Sequence, residues 1–94
     1  IVAVEALEGT DATIRRAHQL AREGLVIVKM ASPTQDMRFD LPIVGPQTLT
    51  TARSCGVRCL AMEAGKTLML NKDALLAQAN DADVCLMGVA PDAA

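Results

Sequence analysis

Ninety-four residues make one small domain, short enough that further packing partners are expected to cover part of its surface. Nine Lys and Arg against eleven Asp and Glu leave a net charge of −2, without the basic footprint of a duplex-binding protein, and a single Phe without Trp or Tyr offers no platform for stacking bases, so nucleic acid is not expected as a partner. The longest apolar runs, Leu25–Val28 and Val84–Val89, fall far short of the roughly 20 residues of a membrane helix.

Taken in chain order, Ile1-Val2-Ala3-Val4 opens a β-favouring stretch over residues 1–7 with neither an initiator methionine nor a secretory leader, and reads as the interior of a longer protein. Gly9-Thr10-Asp11 punctuates. From Asp11 to Glu23, Ile14, Ala17, Leu20 and Ala21 recur at helical spacing while Arg15, Arg16, Gln19, Arg22 and Glu23 take the other face, predicting an amphipathic helix with Thr10 or Asp11 as cap and Gly24 at its end. Leu25–Met30 is a nearly continuous, β-branched apolar run, the pattern of a central strand covered on both faces. A polar loop, Ser32–Val44, follows, and Pro46 suits the first turn of a second helix over Gln47–Cys55 that Gly56 closes. Val57–Glu63 and Thr67–Leu70 read as strands joined by the hairpin-length turn Ala64-Gly65-Lys66. Asn71 is placed to cap a third helix over Lys72–Ala82, and Val84–Val89 reads as a last buried strand. The prediction is an α/β sandwich with a mostly parallel or mixed sheet of about five strands and three helices.

The loop concentrates the chemistry. Asp36 and Asp40 are four residues apart with Arg38 midway, Gln35 and the lone aromatic Phe39 beside them, and Pro33 and Pro42 stiffening the backbone. Paired carboxylates suit a hard divalent cation such as Mg²⁺, which keeps waters and shares a substrate's phosphates. The plain alternative has Asp40 capping a turn and Asp36 pairing with Arg38. Glu8-Gly9-Thr10-Asp11 forms a second polar turn, where the N–H groups of a helix start can bind an anion or where Thr10 and Asp11 merely cap it. If the first two strands are parallel neighbours, both turns share one sheet edge and bring four carboxylates and Arg38 to one crevice.

Other candidates are weaker. Ala64-Gly65-Lys66-Thr67 lacks the leading glycine of a P-loop, since Leu60 holds that position, and Lys29 and Lys66 are left either as point charges for a phosphate or as solvated lysines. His18 has no second ligand at metal spacing and reads as solvent-facing. The odd set Cys55, Cys59 and Cys85 reads as reduced, buried thiols rather than a zinc site, and the methionines as core fillers.

The segments Val4–Asp11, Lys29–Pro46 with its Gln-Asp-x-Arg-Phe-Asp-Leu-Pro core, and Met62–Thr67 together resemble the C-terminal domain of the UDP-2,3-diacylglucosamine pyrophosphatase family, over nearly the whole chain. The resemblance implies a lipid A pathway hydrolase that cleaves UDP-2,3-diacylglucosamine to 2,3-diacylglucosamine 1-phosphate and UMP. It implies a divalent metal, Mg²⁺ or Mn²⁺, and work at the cytoplasmic face of the inner membrane. It also implies an N-terminal domain that encloses the substrate with this one. Residues 1–94 would then be a C-terminal catalytic-type domain, inactive alone, with room for a homodimer. On this reading Asp36 and Asp40 share the metal and orient water, and Arg38, Lys29 and Lys66 neutralise phosphate. Glu8, Gly9, Thr10, Asp11, Gln35 and Phe39 line the substrate crevice. Two other readings stay open: a noncatalytic interaction domain, whose apolar excess serves an interface, and a pyrophosphatase for another nucleotide-linked substrate.

Overall fold

Three stretches of helical apolar spacing, each followed by a β-rich run, set the architecture. The computed structural model describes residues 1–31 and 42–90. Its elements in chain order are α1 (Thr10–Ala21), β1 (Leu25–Lys29), β2 (Ile43–Val44), α2 (Pro46–Ser54), β3 (Val57–Glu63), β4 (Leu68–Met69), α3 (Lys72–Ala82) and β5 (Cys85–Val89). The long strands form a parallel sheet in the order β1-β3-β5, and β2 and β4 pair parallel as a small second sheet. The α/β class, the three helices and the number of strands are as predicted, but Ile43–Val44 rather than residues 1–7 supplies the fifth strand and the strands divide into two sheets.

All three helices lie against the sheet, α1 on β1, α2 on β3 and α3 on β5, with α2 packed between the other two. The core is the layer between them, where Leu49 of α2, Leu60 of β3, Leu75 of α3 and Val44 of β2 are fully buried. Ile14, Ala79 and Val84 extend it, and Leu25 and Ile27 of β1 pack against its edge. The period of two along a strand sends the intervening side chains to the opposite, open face, where Val26 is 60% and Val28 62% exposed.

That alternation corrects several expectations. The central strand is β3, and Leu25–Met30 contains an edge strand with one open face. β-branched residues suit either face of a strand, so an unbroken run does not reveal its neighbours. The last strand, β5, is also an edge, with Cys85 and Met87 exposed. Of the three cysteines only Cys55 is buried; Cys59 is half-buried and Cys85 exposed, because the pleat turns both to the open face. Met62 fills the core as expected, whereas Met30 and Met87 are surface residues.

Two strand expectations are not met. Residues 1–7 form no strand, and the carbonyl of Val4, which a ladder would use, accepts from Arg16 Nη2 at 3.1 Å. The hairpin after β3 does not form either. Both edges of β3 are taken by β1 and β5, so Leu68–Met69 pairs with Ile43–Val44 at the end of the predicted loop, through bonds such as Leu68 N–H to the Pro42 carbonyl at 2.8 Å. Gly65 still turns the chain there, at φ 76°.

The helices match closely. Lys72–Ala82 is as predicted, and Asn71 precedes it, although its side chain makes no capping bond. Gly56 closes α2 at φ 71°, where a Cβ would come within 3.0 Å of the Glu23 Cα, so both conformation and space require glycine. His18 is half-buried rather than solvent-facing, because α1 turns it inward. Its Nδ1 is buried and has no hydrogen-bond partner among the described residues.

Candidate functional site

The site begins where β1 ends. Lys29, last in that strand, extends its Nζ to the Thr10 hydroxyl at 3.0 Å, joining the carboxyl edge of the sheet to the first turn of α1. Thr10 Oγ1 in turn donates to Glu5 Oε1 at 2.8 Å. Helix α1 is not capped by Thr10 or Asp11: both lie inside its first turn, the cap position is Gly9, and among the described residues no capping side-chain bond is made there. Helix α2 starts likewise, with Gly45 at the cap position, no capping side-chain bond among the described residues and Pro46 in its first turn.

Both helix starts open on one cavity of about 530 Å³. Glu8 to Ala12 and Arg15 form one wall, Gln47 and Thr48 of α2 another, and Lys29 and Ile43 contribute at the strand ends. The N-termini of two helices carry partial positive charge and N–H groups without an intrahelical partner. With Lys29 and Arg15 on the same walls, the cavity is suited to an anion, and Asp11 and the Thr10 hydroxyl supply oxygen donors beside it.

Glu8 lies at the rim and is committed elsewhere. Arg16 holds it with two bonds, Nη2 to Oε1 at 2.5 Å and Nε to Oε2 at 3.3 Å. These bonds and the adjacent positive charge hold the carboxyl below the usual glutamate range. Because the folded-state pKa is lowered, this tether acts above the ordinary glutamate pKa and is lost as pH falls through the depressed one.

Of the residues named from sequence, Glu8, Gly9, Thr10, Asp11 and Lys29 come together here. The juxtaposition does not need the expected first strand; it arises because α1 packs across β1 and places its first turn over the strand's carboxyl end. Lys66 does not line this cavity. It sits in the turn after β3 and pairs with Glu63 Oε2 at 3.2 Å, next to a smaller cavity of about 260 Å³ between β3, β5 and α3. Gln35, Asp36, Arg38, Phe39 and Asp40 lie outside the described residues, as does the metal set they were expected to form.

Three contributors escaped the sequence reading. Glu63, only 7% exposed, accepts the Ala31 N–H at 3.0 Å and so pins the chain just after β1. A carboxylate closing a mostly apolar strand was the available signal. Gln47 and Thr48 enter because α2 points its first turn into the cavity, which Pro46 marks only as a helix start. Among the described residues no three His, Cys, Asp or Glu side chains assemble as a metal centre, and no helix is long and apolar enough to cross a membrane.

The sequence matches the LpxI C-terminal domain family over residues 1–87. It is 36% identical, over 99 aligned positions, to the UDP-2,3-diacylglucosamine pyrophosphatase LpxI of Caulobacter vibrioides, an alignment covering 97% of this chain and 35% of that protein. The chain thus spans about a third of the length of the curated relative it matches. On this agreement along nearly its whole length, the chain belongs to the LpxI C-terminal domain family.

Proposed function

We propose that this domain supplies the phosphate-facing half of a hydrolase that cleaves UDP-2,3-diacylglucosamine to 2,3-diacylglucosamine 1-phosphate and UMP. A preceding domain completes the substrate site, and the enzyme works at the cytoplasmic face of the inner membrane. The observation that carries this reading is the cavity where two helix starts with glycine at the cap position and Lys29 meet at the carboxyl edge of a parallel sheet, the usual ligand position in such folds. The printed activity of the relative supplies the substrate.

Within that reading the helix N–H groups and Lys29 hold the pyrophosphate by its charge, and Arg38 adds a second cation from the loop. Lys66, occupied by Glu63, is assigned to positioning that carboxylate. A divalent cation, Mg²⁺ or Mn²⁺, would be held by Asp36 and Asp40. The oxygen donors of Asp11 and Thr10 at the cavity fit a hard ion of this kind, which needs only one or two carboxylates beside water and phosphate. When bound it would neutralise phosphate charge and lower the pKa of a water.

Replacing Lys29 with Ala in the two-domain enzyme tests this assignment through UMP release. We expect kcat/KM to fall about tenfold or more, the loss of one charge-assisted contact of about 1.4 kcal/mol or larger. Arg58→Ala, an exposed site near the other end of β3, should leave kcat/KM unchanged. Wild-type kcat/KM in Lys29→Ala would remove Lys29 from the phosphate site.

The noncatalytic reading is favoured by one observation, the open apolar face carrying Val26, Val28 and Met87. The same experiment separates the two: a noncatalytic domain tolerates loss of the Lys29 charge without any change in UMP release.

A further inference from the structure

The open face of the sheet carries a pair of thiols remote from the phosphate cavity. Cys59 and Cys85 are register partners on the neighbouring parallel strands β3 and β5, so their side chains leave the sheet on the same side and at the same level. Cys85 is exposed and Cys59 half-buried, while Cys55 is buried in the core on the helix side of the sheet. Adjacent strands lie about 4.8 Å apart, within the Cα separation of about 4.4–6.8 Å that a disulfide accepts.

The local backbone leaves room for adjustment. Cys85 is the first residue of β5, and the ladder between β1 and β3 is irregular immediately before Cys59, where Leu25 pairs with Val57 but Val26 with Cys59. Side-by-side Cβ atoms at strand spacing are farther apart than the roughly 3.8 Å usual in disulfides, so a bond here would carry some strain and be readily reduced.

We propose that Cys59 and Cys85 are a redox-active dithiol, converted to an intramolecular disulfide by exchange with a low-molecular-weight disulfide of the glutathione type. The Cys85 thiolate attacks one sulfur of glutathione disulfide; the S–S bond breaks, one glutathione thiolate leaves, and a mixed disulfide remains on Cys85. The Cys59 thiolate then attacks the Cys85 sulfur and expels the second glutathione. Two electrons pass from the protein thiols to glutathione disulfide, and the two thiol protons pass to solvent or to the departing thiolates. The order follows from exposure. It also follows from the Cys59 thiol, whose pKa is pushed up by burial and then by hydrogen bonding to Cys85, so that Cys59 is the poorer first nucleophile.

Intact mass spectrometry of the folded chain under excess glutathione disulfide tests the pair. The wild type should lose two hydrogens with no retained glutathione, and dithiothreitol should reverse this. Cys59→Ser should stop at one glutathione adduct on Cys85, and Cys85→Ser, a change at an exposed position, should show no loss of two hydrogens. Retained glutathione adducts without the internal bond in the wild type, absence of any reaction, or a two-hydrogen loss that persists in either serine variant would overturn the proposal.

Discussion

Replacing Asp36 or Asp40 singly with Ala in the two-domain enzyme should lower kcat for UMP release by about 10³-fold in at least one of the two variants. A carboxylate that holds a divalent ion supports charge neutralisation worth several kcal/mol, and about 4 kcal/mol corresponds to that factor. Both aspartates belong to the segment between two anchored points: the Ala31 N–H bound to Glu63 at 3.0 Å and the Pro42 carbonyl accepting from Leu68 at 2.8 Å. Lys29, two residues before the first anchor, is already a wall of the anion-suited cavity. If the variants respond unequally, the weaker effect marks the residue that pairs with Arg38 rather than the metal. Near wild-type kcat in both, at saturating Mg²⁺, would refute the metal role of the loop.

The second large effect concerns the fold. Leu60, fully buried at the centre of the middle strand, belongs to a core cluster with residues of all three helices, and its strand is packed against α2 and between β1 and β5. Truncation to Ala removes three buried carbons and leaves a cavity that strands fixed on both sides close poorly, costing about 3–4 kcal/mol. Small domains often hold only about 5–10 kcal/mol in all, so Leu60→Ala should lower the urea midpoint of unfolding drastically. Val26→Ala, on the open face, should change it by well under about 1 kcal/mol. Equal midpoints for Leu60→Ala and wild type would mean that the helix-side layer is not the core.

Local structure was legible in the sequence wherever local chemistry decides it. The helix over Lys72–Ala82, the start at Pro46 and the glycine stop at Gly56 follow from spacing, fixed φ and freedom at positive φ. Pairing was not legible, because it depends on which edges remain free: Thr67–Leu70 looked like the return strand of a hairpin, but β3 has no edge to offer it. Ile1–Val4 has strand composition and finds no ladder. The site was half legible. Glu8–Asp11 and Lys29 stand out as polar groups at the ends of apolar runs, whereas Glu63 acts through a backbone N–H that no side-chain motif announces. The family resemblance carried by Gln35–Pro42 agrees with the match over residues 1–87, although the loop's own residues reach the site only as a proposal.

The most direct test of the phosphate cavity is a backbone-amide NMR titration of the two-domain protein with UMP in the presence of Mg²⁺. The account predicts that the amides of Thr10, Asp11, Ala12, Gln47 and Thr48 shift together, saturating with a single Kd that Lys29→Ala weakens. Shifts confined instead to Gly65, Lys72 and Gly88, around the smaller cavity, with those five amides unmoved, would contradict it.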